Sequence, residues 1–205
     1  MKKKLLALVL AAGMVASMAA CGNTNSGGSA SADNSKDTSA TAESTDSDLA
    51  YVKDKGTLVV GITDFEPMDY QDKNGNWIGF DADLASAFAE SLGVDVEFVE
   101  IDWDNKILEL DGKTIDCVWN GMTLTDEVTS SMSCTTAYCN NAQVVVVPSD
   151  VADKYQDKDS LKDLTFAVES GSAGEAQAQE LGLNYTAVTA QSDALMEVAA
   201  GTSDA

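Results

Sequence analysis

The chain contains no histidine and no arginine, and all 12 of its basic residues are lysines. The first absence argues against His-ligated metal sites and His-centred catalytic triads. The second removes the planar guanidinium fork that suits bidentate recognition of carboxylates. Basic charge is scarce altogether: against 34 acidic residues, the formal net charge is -22. A surface this acidic argues against nucleic acid as a partner, which needs basic patches, and against polyanionic substrates. Cysteine is sparse too. Besides Cys21 there are Cys117, Cys134 and Cys139, at spacings that match no zinc pattern. Cys134 and Cys139 could pair in an exported protein, or all three could be small buried or half-buried side chains; no disulfide, metal or cofactor is assigned.

What is present begins with an export signal. Lys2, Lys3 and Lys4 form a positive start, Leu5 to Ala12 a brief apolar stretch, and small residues lead through Ala16-Ser17-Met18-Ala19-Ala20 to Cys21-Gly22. That order describes a secretory signal over residues 1–20, and its apolar run falls short of the ~20 residues of a spanning helix. Residues 22–50 are rich in Ser, Thr, Asn, Asp, Ala and Gly, with no aromatic side chain before Tyr51. Such a stretch cannot bury enough apolar surface to offset its ordering entropy, so residues 21–50 are expected to form a disordered tether. The body from Tyr51 to Ala205 is long enough for a sizeable core.

Strand and helix patterns alternate along that body. Thr57–Ile62 reads as a buried strand entered from Gly56, and Asn74-Gly75-Asn76 as the turn of a small hairpin ending in Trp77-Ile78. Asp81 is placed to cap a helix whose apolar face is Leu84, Ala85, Phe88 and Leu92, with Gly93 at its end. Strands are predicted over 94–99 and 115–119, with a helix over 105–110 between them. The order strand, helix, strand, helix, strand predicts a parallel sheet covered by helices, with its ligand edge at the strand C-termini. Residues 143–148 read as the most apolar strand. Beyond it a second α/β unit is predicted, with strands at 164–168 and 185–188 and helices over 172–181 and 192–200. Gly201–Ala205 looks like the turn into another strand, and the chain is expected to be a truncated form.

Two resemblances sharpen this picture. Met18-Ala19-Ala20-Cys21 resembles the lipobox of bacterial lipoproteins, which implies lipid attachment at Cys21 and anchoring to the outside of the cell membrane. Gly79-Phe80-Asp81-Ala82-Asp83-Leu84-Ala85 resembles the "GFDVDLA" signature of family 3 extracellular solute-binding proteins. The family's "iDaiiaGmtiT" segment is similar to Ile115-Asp116 with Asn120-Gly121-Met122-Thr123-Leu124-Thr125, and its "vGvqsGst" segment to Phe166-Ala167-Val168 with Ser170-Gly171-Ser172. Asp204-Ala205 sits where the family has another "DA" entering a strand. The resemblance implies an α/β, two-lobed clamp of the periplasmic-binding-protein type II fold, with lobe I over 51–147 and a partial lobe II over 148–205. It implies a non-enzymatic role: capture of an amino acid or related small polar solute for the permease and ATPase subunits of an ABC importer.

The resemblance also places a site. Asn120, Gly121, Met122 and Thr123 stand where the family binds the ligand's head group, and Ser170, Gly171 and Ser172 face them from the second lobe. Asp64 could add a counter-charge. Phe65, Tyr70 and Trp103 fall at or near strand ends, where they could sandwich a ligand, whereas Trp119 reads as core. One departure stands out. The family's carboxylate-clamping arginine is replaced by Val128; the carboxylate could instead meet the helix N-terminus, where Ser172 and Glu175 form a capping-box pattern, or those two residues are a purely structural cap. Otherwise the ligand lacks a carboxylate or is cationic. The competing readings are an exported enzyme of the same fold, like a cyclohexadienyl dehydratase, and a ligand-sensing domain.

Overall fold

The structure, a computed structural model, describes residues 47–205. The expected signal segment, Cys21 and most of the tether lie outside the described residues. The described residues begin inside the span assigned to the tether. Helix α1 (Asp48–Lys55) is capped by Ser47, whose hydroxyl accepts the Ala50 N–H at 3.1 Å, and Gly56 closes it in the left-handed conformation, φ 77°. Asp48 in its first turn and Lys53 and Lys55 in its last complement the helix dipole. These charges sit in a stretch too polar to read as packed structure, which is why the helix was not anticipated.

Strand β1 (Thr57–Ile62) forms where its apolar run predicts, with Val60 and Ile62 fully buried. The hairpin of β2 (Tyr70–Gln71) and β3 (Trp77–Ile78) follows. Its turn is held by Asp72, whose Oδ1 accepts the N–H groups of Asn74 at 2.8 Å and Asn76 at 2.9 Å. Helix α2 (Phe80–Leu92) corrects two expectations. Its N-cap is Gly79, and Asp81 is a fully buried residue of the first turn. Its packed face is Asp81, Ala82, Ala85 and Ala89, while Leu84 and Phe88 are 39% and 44% exposed. Short alanine side chains let the helix backbone approach the sheet closely; Phe88 instead leans on the Trp119 ring at 5.6 Å.

The first sheet is completed by β4 (Asp95–Glu100) and β5 (Cys117–Val118), with helix α3 (Lys106–Asp111) between them. The strand order is β4-β1-β5, all parallel, with Thr57 opposite Asp95 and Val60 opposite Cys117. Val52, Leu58, Val60, Ala85 and Ala89 form its core, against which Phe98, Cys117 and Trp119 pack. Trp119, read as core, is half-buried and packs against that core. Cys117, Cys134 and Cys139 are all free thiols.

Helix α4 (Asp126–Ser131) follows the site segment, with Thr125 Oγ1 accepting the Val128 N–H at 3.2 Å. The strand expected at 143–148 is absent. Val144, Val145 and Val146 are 77%, 44% and 49% exposed and in no ladder. An apolar run becomes a strand only on a pleated surface with a neighbour to bond, and here only Val147 finds packing, against the second core.

The second unit pairs β6 (Thr165–Glu169) with β7 (Asn184–Val188) in parallel, linked by helix α5 (Ala173–Glu180) and followed by α6 (Gln191–Ala200). Leu161, Leu164, Phe166 and Ala205 make its core. The two units share one device. In the first, Val59 N–H donates to Asp116 Oδ2 at 2.7 Å and Asp116 N–H donates to the Val59 carbonyl at 2.8 Å. In the second, Thr165 N–H donates to Asp204 Oδ2 at 2.9 Å and Asp204 N–H to the Thr165 carbonyl at 2.8 Å. Asp204-Ala205 therefore runs beside β6, as the "DA" resemblance implies, and Ala167 N–H donates to the Ala205 carbonyl at 2.9 Å. This is the two-lobed α/β arrangement expected, with both sheets' strand C-termini at the junction of the lobes.

Candidate functional site

On the first lobe, β1 leads into buried Thr63, whose hydroxyl accepts from Asn120 Nδ2, while Asn120 Oδ1 accepts the Gly121 N–H at 3.0 Å. These bonds fix the turn after β5 against the exit of β1. The Phe65 ring lies against that turn. A Cβ on Gly121 would come 2.7 Å from Phe65 Cε1, so the close approach of ring to backbone requires glycine. Thr123 Oγ1 accepts from Asn141 Nδ2 at 2.9 Å and from Gln143 Nε2 at 3.3 Å, and Asn141 also donates to the Gly121 carbonyl at 3.3 Å.

Gln143 reaches toward the second lobe as well, since a Cβ on Gly174 would stand 3.3 Å from its Oε1. There Ser172 caps α5 by accepting the Glu175 N–H at 3.1 Å. The return bond of the expected capping box is displaced: Glu175 Oε2 accepts the Gly171 N–H at 2.7 Å, not that of Ser172. A carboxylate of the protein therefore already occupies one donor at this helix start.

A second junction lies beside the first. Lys106 is 5% exposed; its Nζ donates to the Trp103 carbonyl at 3.2 Å and, across the lobes, to the Gly171 carbonyl at 3.0 Å. The ammonium lies 5.0 Å over the Trp103 ring, within cation–π range. Trp103, expected to face a ligand, is only 7% exposed, and the protein's own cation sits over its ring. Gly171 has φ 68°, and a Cβ there would meet Asp104 Oδ1 at 2.6 Å. Glu169, at the end of β6, is buried beside Gln191 and Lys106, and burial pushes its carboxyl up to about 7.

The remaining expected residues divide. Asp64, Met122 and Ser170 are half-buried, and the Ser170 N–H donates to the Val188 carbonyl at 2.9 Å. Tyr70 is tied into the hairpin opposite Ile78. Val128 is 3% exposed, an interior side chain of α4.

Near the site lie three groups whose burial or pairing the sequence did not show. Asp69 and Asp81 are fully buried, and Tyr138 donates to Asp81 Oδ1 at 2.8 Å. Desolvation, then the Asp81 charge, push the Asp69 carboxyl up to about 8; the Ala82 N–H pulls the other way, but neither Asp69 oxygen has a hydrogen bond of normal geometry. Trp119 Nε1 and Asp81 Oδ2 face each other with the same shortfall. Burial likewise raises Asp81, and it pushes the Cys117 thiol up to about 12, which leaves it unreactive at neutral pH. A cleft of about 360 Å³ opens between Thr63, Glu100, Asp102 and Glu109 of the first lobe and Thr189-Ala190 of the second. A hollow of about 420 Å³ near Gly93–Val96 lies at the opposite end of the sheet, remote from these residues. Among the described residues no group of three or more side chains could hold a metal ion.

Known proteins share this arrangement. The model for bacterial extracellular solute-binding proteins, family 3, matches residues 58–197. An arginine-binding extracellular protein of Bacillus subtilis is 29% identical, over 89% of this chain and 62% of its own length. An L-cystine-binding protein of the same organism is 32% identical, over 100% of this chain and 68% of its own. The chain thus spans about two thirds of the length of these relatives. Among solved structures, an ancestral amino acid-binding protein described as a precursor of cyclohexadienyl dehydratase superposes with a TM-score of 0.74 at 37% identity, covering 77% of this chain and 72% of that one. The arginine-bound, truncated arginine-binding protein of T. maritima gives 0.72 at 33%, covering 76% and 74%. With the family model matching well over half its residues, the chain belongs to the bacterial extracellular solute-binding proteins, family 3.

Proposed function

We propose that this chain is the solute-capturing component of an ABC importer, working outside the cytoplasm and enclosing an amino acid or related small polar solute between its lobes. The observation that carries this reading is the convergence of Thr123 from the first lobe and Ser172–Gly174 from the second on one place, with the Gln143 carboxamide between them. A carboxamide in that position satisfies the groups an incoming head group would use. The solute displaces Asn141 and Gln143 from the Thr123 hydroxyl, lies against Phe65 and Gly121, and is enclosed as the lobes close about the segment near 148–150. Asp64, Asn120, Met122 and Ser170 complete the surroundings. The relatives named for arginine and cystine support an amino-acid ligand.

The role is binding without turnover. The test is a thermal-shift and calorimetric panel on the full-length protein with amino acids, polyamines, quaternary amines and small carboxylates. A true ligand raises the unfolding midpoint by mass action and is recovered unchanged. No stabilisation by any member of the panel, or conversion of one, sinks the reading.

Export and anchoring rest on residues 1–21, with Cys21 as the lipid acceptor that holds the protein beside its permease and ATPase partners. Labelled palmitate should enter the wild type, and Cys21→Ser should release the protein to the medium. An unlabelled wild type would overturn the anchor while leaving solute capture standing.

A further inference from the structure

The arm that joins helix α4 to the second lobe has no backbone support of its own. From Ser133 to Asp150 no backbone N–H bonds another backbone group, whereas those of Met132 before it and Val151 after it do. Side chains attach the arm instead. The Tyr138 hydroxyl donates to Asp81 Oδ1, Asn141 and Gln143 donate to Thr123, and Val147 packs against the second core. Chain tied this weakly belongs to the low-stability end of a fold. The same arm carries two of the three cysteines among the described residues. Cys134 and Cys139 are exposed, belong to neither core, and have Thr135 to Tyr138 between them. The Cys134 Sγ makes one local contact, 3.6 Å from the carbonyl of Met132. Cys117 is the contrast: it packs against the first core, and burial pushes its thiol up to about 12. Packing accounts for Cys117 as a small apolar side chain. It does not account for two exposed thiols on one arm of an extracellular family, in a setting where thiols oxidise.

We propose that Cys134 and Cys139 form a reversible disulfide that staples this arm, so that the freedom of Tyr138 and Asn141 depends on redox state. The free thiols of the structure are the reduced form. The oxidant is a small disulfide of the glutathione type. One cysteine thiolate attacks it, releases one thiol and leaves a mixed disulfide; the second cysteine attacks the protein sulfur of that intermediate and releases the other thiol. The protein loses two S–H bonds and gains one S–S bond, while the oxidant's S–S bond becomes two thiols. Two electrons and two protons thus pass to the oxidant. A disulfide needs Cα atoms roughly 4.4–6.8 Å apart, and a stretch held by neither ladder nor helix can turn to meet that need. The closed loop is short, so its effect is local: Tyr138 inside it, and Asn141 just past it, lose freedom together.

The test is thiol mapping of the full-length protein, reduced, incubated with glutathione disulfide at neutral pH, trapped by alkylation and cleaved after glutamate. Cleavage after Glu127 and Glu169 yields a peptide whose only cysteines are Cys134 and Cys139. That peptide should be two hydrogens lighter than its reduced form and should take up no alkylating group until a reductant is added. A peptide with both cysteines alkylated, carrying glutathione, or joined to a second copy overturns the proposal. Limited proteolysis tests the staple. Chymotrypsin cuts after aromatic residues, and Tyr138 is 46% exposed within the loop. Oxidation should slow that cut at least about threefold in the wild type, and Cys134→Ser, treated alike, should show no slowing. A cutting rate unchanged by oxidation overturns the staple even where the bond forms. The wild-type mapping decides the pairing even where the variant fails to fold. Neither readout needs a solute, so their failure leaves the solute-binding reading standing.

Discussion

Lys106 Nζ donates a 3.0 Å hydrogen bond to the Gly171 carbonyl, tying a helix of the first lobe to a turn of the second. Lys106→Met keeps the apolar stem and removes the donor. The Gly171 carbonyl is then left unpaired, at a cost of about 1–3 kcal/mol. The expected outcome is a lower unfolding midpoint and a larger radius of gyration by small-angle scattering, as the lobes part. An unchanged radius would show that other contacts hold the junction.

Gly171→Ala tests the same junction from its other side. The left-handed φ of 68° disfavours any side chain, and the new methyl would meet Asp104 Oδ1 at 2.6 Å. The combined cost is expected to exceed about 1 kcal/mol. Chemical denaturation reads the stability loss, and titration with the ligand found in the panel reads an affinity loss from poorer closure.

Asp69 predicts a pH dependence of stability. Its folded-state pKa of about 8 stands above the ordinary value of 3.8, so the folded chain holds a proton that the unfolded chain has lost between those values. The stability this group contributes is complete below about pH 4 and is lost as pH rises through about 8. Asp69→Asn, which cannot ionise, should flatten the fall in unfolding midpoint measured between pH 5 and pH 9. A wild type and variant with parallel pH profiles would show that Asp69 is not the titrating group.

Tyr138→Phe removes the hydroxyl that donates to the buried Asp81 Oδ1 at 2.8 Å. The loss is expected to be about 1–3 kcal/mol. For a chain of this size that is a drop in midpoint of roughly 2–4 °C per kcal/mol. The Phe ring can keep its stacking on Phe80, 6.3 Å between centroids, so the effect isolates the hydroxyl, which also donates to the Asn120 carbonyl at 3.4 Å.

The parallel units and their strand C-termini were legible because buried strands such as Thr57–Ile62 and helix ends such as Gly93 carry their own local signals. The strand expected at 143–148 was not, because Val144 to Val146 are apolar but have no ladder partner, a property of the neighbourhood alone. Gln143 was hidden inside that misread run. Lys106 and Glu169 were invisible for a related reason: each looks like an ordinary surface charge on its own element, and only the meeting of the lobes buries them. Trp103 was read at the right strand end, yet nothing in its flanking residues says that the lysine one helical turn on would lie over its ring. Asp81 carried the family signature, but its burial depends on Tyr138, far along the chain.

The twin clasps of Asp116 on Val59 and Asp204 on Thr165 have a mechanical consequence. Both partners of each clasp belong to one lobe, so the clasps stiffen each lobe internally and do not tie it to the other. The sheets act as stiff plates, and what holds one plate to the other is a few contacts such as Lys106 with Gly171. Those contacts can therefore be altered without disturbing the interior of either plate.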